Sequence, residues 1–172
     1  AHGLARVARW NGQTTGAHAF SVAQHSLIVE QIFTALYPNA DADERLTALL
    51  HDAPEYVIGD MISPFKAIVG GDYKSVEQRL EQAVHLRFSL PPITSNTLKT
   101  RIKRADGISA FFEAIILAGF SEKEAATFFG RPRGISHDTV DYKPLPATVV
   151  QEAFLDRFEK IEALRISEAK RG

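Results

Sequence analysis

The chain has 172 residues, 45% hydrophobic and 24% charged, which is the composition of a soluble globular protein able to bury a core. Twenty Lys and Arg against 21 Asp and Glu leave a net charge of −1, so neither long nucleic acid nor a membrane surface is called for as partner. Cysteine is absent, which excludes disulfides, zinc thiolates, iron–sulfur clusters and cysteine nucleophiles and fits a reducing cytoplasm, and no apolar run approaches the roughly 20 residues of a membrane span.

The chain opens Ala1-His2-Gly3, with neither an initiator Met nor a secretory-signal pattern, as expected where leading residues are missing. Residues 1–19 are polar, with Arg6, Arg9 and Trp10 standing out. From Phe20 to Tyr37 the spacing of Val22, His25, Val29, Ile32 and Leu36 predicts a helix that turns His25 inward, capped by Ser21 and ended by Pro38-Asn39. A second helix is predicted from Asp41 to Asp52, with a break at His51-Asp52 imposed by Pro54. On a straight helix adjacent side chains diverge by about 100°. A kink lets both turn toward one ion. Pro54 suits the first turn of a new helix and puts Glu55 near its positive end.

Residues 59–66 read as a turn leading into a short helix, and Gly70-Gly71 as a break. Asp72 to Phe88 is helical, with Val76, Leu80, Ala83, Val84 and Phe88 in register. Ser95 to Ala118 is a long helix closed by Gly119, its apolar face formed by Leu98, Ile102, Ala105, Ser109, Phe112 and Ile116, with Asp106 on the inward side. Ser121 and Glu124 form a capping-box pattern for a helix to Phe129. Residues 130–147 look irregular, and Thr148 to Ile166 returns to helix. No strand alternation is sustained and no repeat is visible, so the expectation is one all-α domain over residues 1–172.

His51-Asp52 is the pair that carries chemistry. An imidazole and a carboxylate at the end of an apolar helix cost several kcal/mol unless they are paired or bind metal. With His25 and Asp106 they make a mixed nitrogen–oxygen set suited to Mn, Co, Fe, Ni or Zn and less to Mg. Four such ligands leave open positions, the mark of a catalytic rather than a structural ion site. Glu55, four residues after His51, is the candidate proton acceptor, and Asp60 a second acid/base or a group for a substrate hydroxyl. Arg9 is the candidate phosphate clamp, Trp10 a stacking or walling residue, and Lys66 a third group facing the cleft.

Each residue alone also has a plain structural reading. His25 could be a hydrogen-bonded core histidine, Glu55 a first-turn glutamate, Asp60 a turn residue and Trp10 an anchor for the N-terminal segment. Lys99, Arg101, Lys103 and Arg104 read as the solvated side of the long helix. Arg131 and Arg133 read as loop residues, and His2, His18, His85 and His137 stay outside the metal set.

Together, Arg9-Trp10, Val22-Ala23-Gln24-His25-Ser26, the run Ala48 to Glu55, Gly59-Asp60, Ser63 to Lys66 and Lys103 to Asp106 resemble the HD-domain metal-dependent phosphohydrolases, and within them the bacterial 5′-deoxynucleotidases. The resemblance implies an all-helical HD-domain bundle, commonly a homodimer, with His25, His51, Asp52 and Asp106 holding one divalent ion. It implies that Glu55 assists the attacking water, that Arg9 holds the 5′-phosphate, that Trp10 crowds the sugar 2′ position and that Asp60 meets the 3′-hydroxyl. Two positions depart from the group's pattern: Gln24 stands where an acidic residue precedes the first metal His, and Phe20-Ser21 where Glu-Asn is usual.

The expectation is therefore a phosphomonoesterase acting on a small phosphorylated substrate, a nucleoside 5′-monophosphate first among them. The alternatives are hydrolysis of another phosphoester, a non-catalytic metal and nucleotide sensor, or a helical scaffold with a vestigial site.

Overall fold

The computed structural model describes residues 1–61, 68 and 70–170. Among them the chain forms seven α-helices: α1 (Val22–Leu36), α2 (Ala42–Leu49), α3 (Glu55–Ile58), α4 (Gly71–Arg87), α5 (Asn96–Ile116), α6 (Glu122–Phe129) and α7 (Ala147–Ala169). Single 3-10 turns lie at Leu4–Arg6, Trp10–Gly12 and His137–Thr139. No strand is present among the described residues, and one isolated antiparallel bridge joins Ala8 to Ser21. This is the all-α bundle that the periodicity predicts.

The predicted helix starts rest on real caps. Ser21, Asp41, Ser95 and Ser121 each accept the backbone N–H three residues on, and Ser121 with Glu124 closes a full capping box. Each such cap contributes about 1 kcal/mol.

Helix α1 is the centre of the bundle. It packs against α5, α2, α7 and the first 3-10 turn. One flank, through Ile28, Val29, Ile32 and Phe33, joins Phe20, Ala105, Ile108, Phe111, Phe112 and Tyr142. The other, through Val22 and Ala23, joins Leu4, Leu46, Leu49, Val150, Phe154 and Ile161. A helix buried on nearly every side must satisfy each polar group it carries. Glu30, 1% exposed, accepts both Nε and Nη2 of Arg157 on α7 at 2.6 Å and the Thr34 hydroxyl at 2.9 Å. Gln24 donates to the Lys143 carbonyl at 2.7 Å and accepts from Leu145 N at 3.1 Å. The amide that departs from the family pattern thus staples the 143–145 segment, using one donor and one acceptor. A carboxylate there would have no donor for Lys143.

Several expectations are corrected. Ile116 is 41% exposed rather than part of the α5 apolar face, because the core on that side ends at Leu117, where the cap residues and Gly119 (φ +77°) close the helix. Val76 is exposed as well, since α4 reaches the core only at its C-terminal end, through Val84, Phe88 and the buried His85. Residues 130–147 are irregular as predicted, yet Val140 and Tyr142 anchor them in the first core. The predicted short helix near residue 65, and Lys66 with it, lie outside the described residues.

Candidate metal centre

The site is assembled where three local structures meet. Helix α2 ends at Leu49, and residues 50–54 form turns before α3 begins at Glu55. His51 and Asp52 therefore sit in the break that Pro54 predicts, and their side chains converge. The antiparallel bridge and two hydrogen bonds, Arg9 N to Phe20 O (2.8 Å) and Val22 N to Val7 O (2.9 Å), pin the N-terminal segment beside the start of α1. Helix α5 brings Asp106 in from the opposite side.

His25, His51 and Asp52 offer ligand atoms that all lie within 4.8 Å of one another. Asp52 Oδ2 is 3.4 Å from His25 Nε2 and 3.3 Å from His51 Nε2, and Asp106 Oδ1 is 3.3 Å from His25 Nε2. Ligands about 2.0–2.2 Å from one ion stand about 3.0–3.4 Å apart in octahedral or tetrahedral arrangements, so these spacings suit a shared cation. Asp106 stands just outside the tight trio and is tied to it through His25. Side-chain exposure rises from 0% at His25 through 11% at His51 and 23% at Asp52 to 40% at Asp106. The site has a dry floor and an open rim.

The donor set passes a stricter test. His25 Nδ1 faces Glu113 Oε1 at 2.5 Å and His51 Nδ1 faces the Ala48 carbonyl at 2.9 Å. Both partners are acceptors, so each Nδ1 carries the proton and each Nε2 presents its lone pair. Both Nε2 atoms are buried and make no hydrogen bond of acceptable geometry. Two orphaned imidazole nitrogens aimed at one carboxylate are what a metal ion satisfies.

The electrostatics agree. Burial and Arg9 oppose a positive charge on His25, but Glu113, Asp106 and Asp52 together raise its pKa well above the usual value. Burial opposes charge on Asp52 too, and His51 and His25 nonetheless hold its carboxyl well below the usual range. Asp106 is lowered in the same way, chiefly by His25. The anionic field that favours a proton at His25 Nε2 favours a divalent cation there equally.

Arg9 engages Glu113 Oε2 through Nε at 3.0 Å and Asp52 Oδ2 through Nη1 at 3.5 Å. Asp60, half-buried after Gly59 (φ +76°), adds to the field on Arg9. Trp10 donates its indole N–H to Glu113 Oε2 at 2.9 Å and packs on Phe120 and Phe129. Its backbone lies in the left-handed region at φ 55°, as does Asn11 at 51°, a posture costing about 1–3 kcal/mol for a non-glycine residue. These contacts hold it there.

Glu55 is 3% exposed and, with His51 and Asp52, lines a cleft of about 550 Å³ closed on its far side by Lys74 and Glu81 of α4 and Lys99 of α5. That volume falls in the roughly 300–1,000 Å³ range of small-molecule sites. Lys99 is exposed, on the solvated side of α5 as predicted, and also borders the cleft. Arg101, by contrast, pairs with Glu44 at 3.2 Å and covers the Tyr37 ring. A larger open groove of about 810 Å³ under residues 137–144 contains none of the metal-centre residues.

Glu113 is the residue that the sequence reading misses. It is fully buried and is held far below the usual carboxylate range, Arg9 and then His25 overcoming the cost of burial. The signal was available: a carboxylate inside Phe111-Phe112-Glu113-Ala114-Ile115-Ile116 is as expensive as the His51-Asp52 pair.

Comparison with known proteins agrees with this geometry. A family model described as 5′-deoxynucleotidase YfbR-like matches residues 2–129. An uncharacterized protein of Rhodobacter capsulatus is 52% identical over 157 residues, covering 91% of this chain and 80% of its own length. The uncharacterized protein YfdR of Escherichia coli is 30% identical over 163 residues, covering 94% of this chain and 82% of its own. No helix among the described residues is long and apolar enough to cross a membrane. Two buried imidazoles, an adjacent carboxylate and this match lead to one conclusion: the chain belongs to the YfbR-like 5′-deoxynucleotidase family, a group of HD-domain phosphohydrolases.

Proposed function

We propose that the protein hydrolyses a deoxyribonucleoside 5′-monophosphate to the nucleoside and inorganic phosphate, using one divalent ion held by His25, His51, Asp52 and Asp106. The observation that carries this reading is the pair of buried, unbonded Nε2 atoms facing Asp52. Mn, Co, Fe, Ni or Zn suits such a set better than Mg. When bound, the ion polarises a phosphoryl oxygen and makes water easier to deprotonate. Asp106, the most exposed of the four and 3.3 Å from His25 Nε2, would supply the fourth ligand oxygen.

The chain's own groups supply the rest. Glu55, beside His51 and Asp52, takes the proton of the attacking water. Arg9 offers Nη2 to the phosphate, and its other two nitrogens are fixed by Glu113 and Asp52 so that the guanidinium is preorganised. Trp10 walls the sugar at its 2′ position and Asp60 accepts from the 3′-hydroxyl, while Lys66, outside the described residues, is carried as a further substrate-binding residue by the sequence motif alone. The family resemblance also supports a homodimer acting in the cytoplasm and one domain over residues 1–172, for which light scattering of the purified protein tests the assembly.

The deciding assay is phosphate release from a panel of deoxy- and ribonucleoside monophosphates, cyclic dinucleotides and guanosine polyphosphates, with Mn or Co added. Release from the deoxynucleoside monophosphates first is expected. A metal-loaded protein that releases nothing from the panel refutes the reading.

A further inference from the structure

One carboxylate links the metal centre to both residues that face the substrate. Glu113 Oε1 takes the Nδ1–H of His25 at 2.5 Å and the Ser109 hydroxyl at 2.7 Å. Its Oε2 takes Arg9 Nε at 3.0 Å and the Trp10 indole N–H at 2.9 Å. The side chain is 0% exposed, so no solvent competes for either oxygen. Each oxygen has two donors, and the carboxylate cannot turn without breaking some of them. One oxygen faces the metal ligand and the other faces the substrate wall.

We propose that Glu113 is a positioning residue that couples occupancy of the metal centre to the posture of Trp10 and Arg9. The proposal rests on the metal-centre reading above. Coordination through His25 Nε2 draws charge from the ring and makes its Nδ1–H a stronger donor. That strengthens the hold on Oε1 and redistributes the charge that Oε2 offers to Trp10 and Arg9. Trp10 is well suited to respond, because its indole is held by this bond and by ring packing on a left-handed backbone.

Trp10 is also the only tryptophan in the chain, so intrinsic indole emission reports on this bond directly. The probe is Zn²⁺, which is diamagnetic and does not quench by itself. Calorimetry records binding, while emission and the indole N–H proton resonance are followed in the same titration. The expected result is a change in both indole signals that saturates at the stoichiometry of binding, although Trp10 supplies no ligand atom.

In Glu113→Gln the amide presents one acceptor and one donor to four donors. With its oxygen toward cationic Arg9, its NH2 meets His25 Nδ1 and forces the proton onto Nε2. Zn²⁺ affinity then falls about 10–100-fold and the indole response disappears. Ser109→Ala keeps the carboxylate and should retain the response.

Zn²⁺ bound by the wild type with no change at the indole overturns the coupling while leaving the metal centre intact, and this arm needs no variant to fold. Failure of Zn²⁺, Mn²⁺ and Co²⁺ to bind overturns both readings. A Glu113→Gln protein that folds, binds Zn²⁺ as tightly as the wild type and keeps the response also refutes the coupling.

Discussion

Helix α1 carries His25, the most buried of the candidate metal ligands, and its anchor to α7 can be tested without touching the site. Arg157→Met keeps most of the side chain's apolar stem and removes the guanidinium. Glu30 is then left 1% exposed with the Thr34 hydroxyl as its remaining partner, having lost two hydrogen bonds of 2.6 Å. Breaking a fully buried pair this way costs about 3–5 kcal/mol. The Arg157 side chain is 30% exposed, so water reaches the gap and the figure is discounted to about 2–3 kcal/mol. For a domain of this size each kcal/mol shifts Tm by about 2–4 °C, which gives a fall of about 4–12 °C. The double variant Glu30→Met/Arg157→Met removes the stranded charge and should recover to within about 1 kcal/mol of the wild type. Thermal and urea unfolding of the four proteins make a double-mutant cycle. A loss below about 1 kcal/mol in Arg157→Met, or a double variant no more stable than it, refutes the reasoning.

Glu55→Gln should lower kcat about 10²–10⁴-fold while leaving Mn²⁺ affinity within about threefold, as kinetics and calorimetry on one preparation will show. A chelator should lower Tm, and Mn²⁺ restored at 100 times its Kd should return about 2.7 kcal/mol, because the ion binds only the folded site. Stability should fall in acid. Glu113 is depressed in the folded state, so its contribution is present above its ordinary pKa near 4.5 and is lost as pH falls below that value. Urea midpoints of the metal-free protein between pH 5 and 3 should therefore slope downward, and less steeply in Glu113→Gln.

What was legible in the residues was local. Pro54 announces the break that aims His51 and Asp52 together, and that break lies between Leu49 and Glu55. Ser21, Ser95 and the Ser121/Glu124 box set three helix starts within a residue or two, because a cap acts on the backbone N–H groups immediately after it. Three- and four-residue spacing turned His25 inward correctly, since α1 is packed on almost every side. The same rule failed for Val76 and Ile116, because periodicity names a face and not the length over which a neighbour covers it.

The amino-acid order by itself determined the class of this protein: helices, caps, and a kinked His-Asp pair of the kind that suits a cation. Only the tertiary structure decided how the centre is held. The bonds from Glu113 to His25, Trp10 and Arg9 span 88, 103 and 104 residues, and Gln24 meets its partners 119 and 121 residues away. Local propensity reaches a few residues along the chain. Whether a carboxylate in an apolar run is stranded or grips four donors depends on which helices the core brings together.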